Sequence, residues 1–339
     1  MTRKLLTTTL LLACAANPLH AAEQNVVNLY TSRHYQTDEV LYENFTKATG
    51  IQVNRIEGKD DALIERMRTE GENSPADVFI TSDASRLGKA DEQGLLAPVQ
   101  SAVLESRIPA NLRSDHWFAF STRARVIVYN PKTVKAEQVQ NYEDLADPAL
   151  KGKVCTRSGS HPYNLSLGAS LVKRLGAEKT EAWAKGVVAN FARQPKGGDT
   201  DQIRAVAAGE CGVAIANSYY FARLMNSDKP ADQEVIKAVG LVWPNQGNVG
   251  THINISGGGL VKTAPHKAAA IAFLEYLASD EAQRYFANGN NEWPAVQSVS
   301  VSNPALEKMG DFKADTLPVA ELADGVAEAQ KMYDRAGYR

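Results

Sequence analysis

A pair of tyrosines stands where α/β sheets usually bind ligands. Tyr219 and Tyr220 follow the apolar run 212–216, which is typical of a strand, and Ser218 is expected to be the N-cap of a helix over residues 219–225. Ligands of open α/β sheets bind at the carboxyl ends of strands, where the positive end of a helix dipole also favours a phenolate. Most such pairs serve packing, so the pair alone does not define a site.

Two further segments share this placement. His34 and Tyr35 lie between a predicted strand that ends at Tyr30 and a predicted helix that opens near Thr37 as its N-cap. Tyr163 precedes a third predicted helix. Each of these residues alone is more often a loop or packing residue. Their joint occurrence at strand ends is what indicates a binding site.

The donor set favours one kind of ligand. A phenolate oxygen is a hard donor with a reference pKa of about 10, so it suits a small, highly charged cation that can displace the proton. Fe³⁺ fits this requirement better than Zn²⁺, which prefers Cys and His, or Ca²⁺, which prefers carboxylates and carbonyls. The sequence has no nucleophile elbow, Walker loop or zinc helix, and Gly257-Gly258-Gly259 lacks dinucleotide-loop spacing, so it is expected to mark a bend or a close backbone approach.

The elements around these residues predict two α/β units without internal repeats. Strands and helices alternate from residue 26 to residue 80 as βαβαβ, which predicts a mostly parallel sheet with right-handed crossovers. A second unit follows the apolar run 123–131. The predicted strands are 26–30, 51–56, 76–80, one around Val154, 212–216 and 253–256. The predicted helices are Thr37 to Gly50, 62–70, 165–175, 201–208, 219–225, 267–278 and 282–287.

Four segments make a family resemblance visible. Residues 28–35, 75–79, 90–96 and 214–220 closely resemble bacterial periplasmic ferric iron-binding proteins of ABC importers, and the likeness covers essentially the whole mature chain. The resemblance implies an α/β, two-lobed type II periplasmic-binding-protein fold. Each lobe is then a mixed, mostly parallel sheet flanked by helices, and the ligand lies in the cleft between the lobes. The expected lobes are 22–122 with 244–297, and 123–243 with 298–339.

The resemblance also implies a ligand set for Fe³⁺. His34 and Tyr35 would come from the first lobe, and Tyr163, Tyr219 and Tyr220 from the second. One branch of the family uses a carboxylate and an exogenous anion, but this chain has Thr81 and Ser82 at the corresponding place. It is more similar to the tyrosine-rich branch, which implies binding without an anion.

Charge counting agrees with that implication. Four phenolates and a neutral imidazole around Fe³⁺ leave a formal charge of −1, which a nearby cation could offset. Arg33 and Arg157 are the local candidates, and surface exposure is the alternative for both. A second anion would add negative charge to a site that already has an excess.

The amino terminus predicts export. Arg3 and Lys4 precede a short apolar stretch, and small residues follow, so residues 1–21 are expected to be a signal peptide cleaved after Ala21 or Ala22. Lipidation at Cys14 is a minor alternative. The 339 residues favour two domains, and a net charge of −2 offers no basic field for nucleic acid or anionic lipid. The mature protein is expected to be a soluble periplasmic monomer.

Cys155 and Cys211 are the two cysteines that remain after the predicted signal peptide. In an oxidising compartment the pair predicts a disulfide, and two buried free thiols are the alternative.

The sequence thus predicts a binding protein rather than an enzyme. It would carry ferric iron as transported ligand to an inner-membrane ABC permease. Two alternatives stay open: the same fold with another small ligand, such as an oxyanion or a polyamine, and a secreted metalloenzyme that uses the same donors.

Overall fold

The computed structural model describes residues 25–33 and 35–339. The predicted signal peptide, Cys14 and the candidate ligand His34 lie outside the described residues. The strands are β1 Val26–Thr31, β2 Gln52–Glu57, β3 Val78–Thr81, β4 Leu96–Ala97, β5 Trp117–Tyr129, β6 Val154–Cys155, β7 Val213–Asn217, β8 Gly240–Val242, β9 Ile253–Val261 and β10 Trp293–Pro294.

Helices flank these strands along the whole described chain. They are α1 Asp38–Thr49, α2 Asp60–Glu70, α3 Ala84–Glu92, α4 Ala102–Arg107, α5 Pro162–Leu175, α6 Ala177–Ala189, α7 Asp199–Ala207, α8 Ser218–Met225, α9 Pro230–Ala238, α10 Lys267–Leu277, α11 Asp280–Asn290, α12 Pro304–Met309 and α13 Glu321–Ala336. None of the described helices is long and apolar enough to cross a membrane.

The strands form one curled, mixed sheet in the order β2-β1-β3-β9-β5-β7-β6. The predicted βαβαβ unit is confirmed, because β1 pairs in parallel with both β2 and β3. In the second unit β6 and β7 are parallel as well. The remaining pairs, which all involve β5 or β9, are antiparallel. The sheet is therefore mixed as expected, with more antiparallel pairing than the βαβ pattern alone suggested.

Two lobes arise because β5 contributes to separate hydrophobic cores. Its first part, Trp117 to Phe120, packs in the core of the first lobe, with β1, β3, α1 and α10. Its second part, Val126 to Val128, packs in the core layers on either face of the second-lobe sheet. β9 pairs with β5 from Trp117 to Ala124, up to the part of β5 that enters the second-lobe core, and these two strands are called the crossing strands below. α13 also spans them, since Leu322 lies in the first core and Met332 in the second.

The triple glycine of β9 serves close backbone approach, as expected from the sequence. A Cβ atom on Gly257 would lie 2.5 Å from the carbonyl oxygen of Phe118, and one on Gly259 would lie 2.4 Å from that of His116. Neither distance is compatible with a side chain, so only glycine fits at these two positions of the strand.

Thr37 takes the predicted N-cap position of α1 without forming a capping bond, and the prediction of Ser218 as the N-cap of α8 was wrong, for the same physical reason. Thr37 is in the helical region and makes no capping bond, and its hydroxyl donates to Asn290 instead. Ser218 is the first helical residue of α8, Asn217 precedes it, and the Ser218 hydroxyl accepts the Ala124 N–H of β5 at 3.1 Å. Both hydroxyls form tertiary bonds, which a local sequence pattern does not reveal.

The predicted disulfide is confirmed. Cys155 ends β6, Cys211 lies two residues before the start of β7, and their Cα atoms are 5.8 Å apart. The parallel pairing of β6 and β7, which places Cys155 opposite Ala214, brings the two cysteines together. The bond therefore links the two strands that lead toward α5 and α8.

Candidate metal centre

Phenol groups from three separate segments meet between the lobes. The Tyr219 hydroxyl lies 3.2 Å from that of Tyr35 and 3.2 Å from that of Tyr163. The Tyr220 ring packs against the Tyr219 ring, with centroids 4.1 Å apart and planes inclined by 32°. The structure thus brings together the four tyrosines that the sequence singled out.

Strand ends and helix starts position these tyrosines. Tyr219 and Tyr220 lie in the first turn of α8, directly after β7. Tyr163 lies in the first turn of α5, where the Nδ1 atom of His161 accepts its backbone N–H at 3.2 Å and the two rings pack edge to face, 4.6 Å apart. Burial and the charge of Arg157 lower the pKa of His161 to about 3, so its ring stays neutral and can accept this bond.

Tyr35, Tyr219 and Tyr220 are held in the neutral phenol form when no cation is present. Tyr219 is only 1% exposed, and burial raises its pKa well above the ordinary value, with a further rise from the neighbouring phenols. Burial likewise raises the pKa of Tyr35, and it raises that of Tyr220 to about 12. A ligand must therefore carry enough positive charge to displace these protons.

Arg33 is buried beside the first of these tyrosines. Its guanidinium group forms a two-bonded ion pair with Asp38, at 2.8 and 3.0 Å, and lies 4.7 Å from the Tyr35 ring centroid. It also contacts Glu292 at 3.2 Å. With 3% exposure, Arg33 is not a surface arginine, which was the alternative left open by the sequence.

Arg123 and Glu292 form the neighbouring ion pair, which the sequence analysis missed. Arg123 lies on the crossing strand β5, 5.6 Å from the Tyr219 ring centroid, and donates to the Ser82 carbonyl oxygen at 2.8 Å. Glu292 is fully buried and binds both Arg123 and Arg33. Burial alone would raise the pKa of Glu292, but the two guanidinium groups hold it below its usual value.

The second lobe repeats this arrangement around Asp199, which the sequence analysis also missed. The fully buried Asp199 binds Arg125 at 2.5 Å and Arg157 at 3.2 Å. These two guanidinium groups lie 5.8 and 5.1 Å from the Tyr163 ring centroid. The two sequence-predicted arginines are thus part of a larger set that faces the tyrosines from both lobes.

The charges around the tyrosines sum to a positive excess. The buried set contains four arginines against the carboxylates of Asp38, Glu292 and Asp199, a net charge of one. Arg223, on the exposed side of α8, adds another positive charge, 5.5 to 5.9 Å from three of the tyrosine ring centroids. This surrounding favours phenolates over phenols once a cation binds.

The cleft beside the tyrosines has a volume of about 730 Å³ and is lined by both lobes, including Ser82, Asp83, Arg86, His161 and Tyr163. Thr81 and Ser82 have hydroxyl side chains and so provide no carboxylate ligand. The Thr81 hydroxyl donates to Asp60. Within residues 25–33 and 35–339, no group of three or more His, Cys, Asp or Glu could hold a metal ion. The tyrosines are therefore the candidate metal donors of the described chain.

The fold and the cleft define a class of binding proteins, and the chain belongs to the family of bacterial extracellular solute-binding proteins, whose family model matches residues 30–284. It is 50% identical over 319 residues to iron uptake protein A1 of Synechocystis sp., which covers 94% of this chain and 88% of that relative.

Solved structures agree with this assignment. The Trichodesmium protein IdiA (FutA), in complex with iron and citrate ligands, is 54% identical with a TM-score of 0.88, over 93% of this chain and all of that one. The ferric binding protein from Campylobacter jejuni is 44% identical with a TM-score of 0.88, over 92% of this chain and all of that one. The family resemblance and the two-lobed fold expected from the sequence are confirmed.

Proposed function

We propose that the protein is a periplasmic receptor that binds ferric iron between its lobes and delivers it to an ABC permease of the inner membrane. The observation that carries the proposal is the convergence of three phenol groups. The Tyr219 hydroxyl lies 3.2 Å from those of Tyr35 and Tyr163, and buried guanidinium groups pack against the rings. The relatives described above are iron uptake and ferric iron-binding proteins, which supports the same cargo.

The proposed ligands of the ferric ion are His34, Tyr35, Tyr163, Tyr219 and Tyr220. His34 directly precedes Tyr35 in the chain, so the backbone can bring both to one metal ion. Four phenolates and one neutral imidazole give the iron complex a charge of −1. The net positive charge of the surrounding arginines and carboxylates offsets it, with Arg33 and Arg157 among the contributors.

Binding is proposed to need no exogenous anion, because the negative charge of four phenolates already exceeds the positive charge of the ferric ion. The Trichodesmium protein was solved with iron and citrate, so citrate is the anion to test. Iron loading in anion-free buffer should give the same visible spectrum as loading with added citrate. A spectrum that requires citrate would contradict this part of the proposal.

Closure of the two lobes around the metal is the proposed means of capture. We propose that residues 22–122 with 244–297 form one lobe and residues 123–243 with 298–339 form the other. The two crossing strands, β5 and β9, would then act as the hinge. The open form exposes the cleft to iron, and the closed form is the one that the permease would receive.

Other functions fit the site less well. An oxyanion receptor needs helix starts free for the anion, whereas His161 caps α5 and tyrosines fill the first turn of α8. A polyamine receptor needs free carboxylates beside aromatic rings. The cleft wall carries Glu57 and Asp61, but both are bound to basic side chains, and the carboxylates beside the tyrosines are bound to arginines. A family of solute-binding proteins also favours binding over catalysis, and five protein ligands would leave an enzyme little room for substrate.

Metal content and colour test the proposed function. Protein purified from the periplasm of the source or host cell should contain one ferric ion per chain and absorb visible light, because phenolate-to-iron charge transfer gives a coloured complex. Zinc substitution and iron removal should both bleach it. A colourless protein that takes up zinc or an oxyanion in place of iron would overturn the proposal.

The disulfide should support both stability and iron binding. Replacing Cys155 and Cys211 by alanine removes a bond across 56 residues, which is expected to lower the free energy of unfolding by about 4 kcal/mol in the chain-entropy model. Tyr163 and Tyr219 each follow a bridged cysteine by eight residues, so iron affinity should fall as well.

Thermal unfolding and chelator competition measure the two effects of the disulfide. Peptide mass mapping without reductant first establishes the bond in protein from the periplasm. Free thiols at both cysteines in this protein would contradict the disulfide. An iron affinity that is unchanged when the cysteines are replaced would contradict its contribution to iron binding.

A further inference from the structure

α5, whose first turn contains Tyr163, is hydrogen-bonded to the first lobe at a point away from the tyrosine cluster. Ser166 lies one turn along α5, and its hydroxyl donates to the carboxylate of Asp83, with oxygen distances of 2.8 and 3.0 Å. Asp83 belongs to the first lobe, where it is the N-cap of α3. This hydrogen bond therefore joins the two lobes without involving a proposed metal ligand.

Asp83 is a fixed acceptor because the first lobe holds it in place. Its Oδ1 atom accepts the Ser85 N–H at 2.9 Å, and its Oδ2 atom accepts from the side-chain amide of Asn254 at 2.9 Å. Asn254 lies on the crossing strand β9, and its own Oδ1 atom accepts the Ala84 N–H at 2.9 Å. With 1% exposure, the Asp83 carboxylate needs these donors, and Ser166 is the one that comes from the second lobe.

α8, whose first turn contains Tyr219 and Tyr220, has a similar attachment. Asn226 ends α8, and its side-chain amide donates to the Oδ1 atom of Asn291 at 2.7 Å. Asn291 ends α11 of the first lobe with a φ of 57°, in the left-handed region. Ala222 of α8 and Ala287 in the last turn of α11 belong to one small apolar cluster beside this bond. Both second-lobe ligand helices are thus attached to the first lobe.

The residues on either side of Asn291 bind the segment that carries Tyr35. The side-chain amide of Asn290 donates to Asp38 at 2.9 Å, and Asp38 holds Arg33. Glu292 binds Arg33 as well. One short segment of the first lobe therefore contacts both the Tyr35 segment and α8.

We propose that Ser166 and Asn226 are positioning residues for iron binding. Their bonds to Asp83 and Asn291, here called the closure bonds, hold the lobes closed before iron arrives and so set the apparent iron affinity. The inference rests on the proposed function. When only a closed form is competent, apparent affinity falls in proportion to its population. The usual net contribution of a hydrogen bond corresponds to about 2- to 12-fold in the ratio of closed to open form for each closure bond.

The double variant Ser166→Ala/Asn226→Ala tests the proposal. The metal-free variant should have a larger radius of gyration by small-angle X-ray scattering than the metal-free wild type. Its iron affinity, measured by chelator competition, should fall by up to about 140-fold, which is the product of two factors of about 12. The visible band at saturating iron should keep its position, because every proposed ligand is intact.

Ser170→Ala is the matched control, because Ser170 is a buried serine on the same helix, one turn beyond Ser166, and the structure gives it no bond to the first lobe. It should change neither the radius of gyration nor the affinity. Asn226 is exposed, so the single variant Asn226→Ala should fold even if loss of the Ser166 hydroxyl disturbs α5.

Three outcomes overturn the closure bonds: equal radii of gyration for metal-free wild type and double variant, unchanged iron affinity, or a shifted visible band at saturation. The last would mean that the substitutions distort the tyrosine site itself. A wild-type protein that forms no coloured iron complex would instead overturn the proposed function, so the two failures are distinguishable.

Discussion

The double variant Tyr219→Phe/Tyr220→Phe is expected to lose the coloured iron complex completely. Each substitution removes a proposed phenolate donor and keeps the ring volume, so the fold should survive. Substitutions of residues that only surround a metal ligand typically cost 10- to 100-fold in affinity, and loss of a ligand should cost each single variant at least about 100-fold. Visible spectroscopy and chelator competition measure both effects.

The control for this prediction is another tyrosine that loses only its hydroxyl. Tyr276→Phe on α10 fits, because the Tyr276 hydroxyl is buried and has no hydrogen-bond partner among the described residues. Its variant should keep the wild-type band. His34→Ala should cost less than either tyrosine variant, since a neutral donor is lost and water can replace it. An unchanged band in the double phenylalanine variant would mean that the site is assigned to the wrong residues.

Local patterns predicted much of what positions the site. The strand-then-helix order around Tyr219 and Tyr35 was visible as apolar runs followed by helix-start residues, and the structure confirms both. Gly50, predicted to end α1, has a φ of 76° there. These features depend on neighbours in sequence, so a single chain contains the information.

The charged surroundings of the tyrosines could not be predicted in the same way. Glu292 binds Arg33 across 259 residues of sequence, and Asp199 binds Arg125 across 74. Neither pair has a local spacing. One signal was nevertheless present. Arg123 and Arg125 lie two residues apart in the largely buried strand β5, and a charge on a buried strand requires a partner.

Local patterns also misjudged the hydroxyl groups at helix starts. Thr37 and Ser218 stand where N-caps are common, yet both form bonds to distant elements. A capping bond contributes about 1 kcal/mol to stability. A buried hydrogen bond to another element contributes a similar amount, so it can replace the cap where such an element is within reach. The lobe arrangement itself came from family resemblance, because chain order alone does not show which strands cross between lobes.

Iron binding is expected to release about four protons per ferric ion, one from each proposed tyrosine ligand. Burial raises the pKa of Tyr219 and Tyr35 well above the ordinary value and that of Tyr220 to about 12, so these groups carry their protons in the metal-free protein at neutral pH. Acid therefore competes with the metal. Apparent affinity should fall as pH falls, by up to about four powers of ten per pH unit.

A pH-stat titration with a ferric chelate measures the protons, after subtraction of those released by the chelate without protein. Tyr220→Phe provides the internal check, because this variant should release about one proton fewer at saturating iron. Ferrous iron, with its lower charge, should displace fewer protons and bind more weakly at the same pH. Release of two protons or fewer by the wild type, or iron retention that is independent of pH well into the acid range, would contradict ligation by four tyrosines.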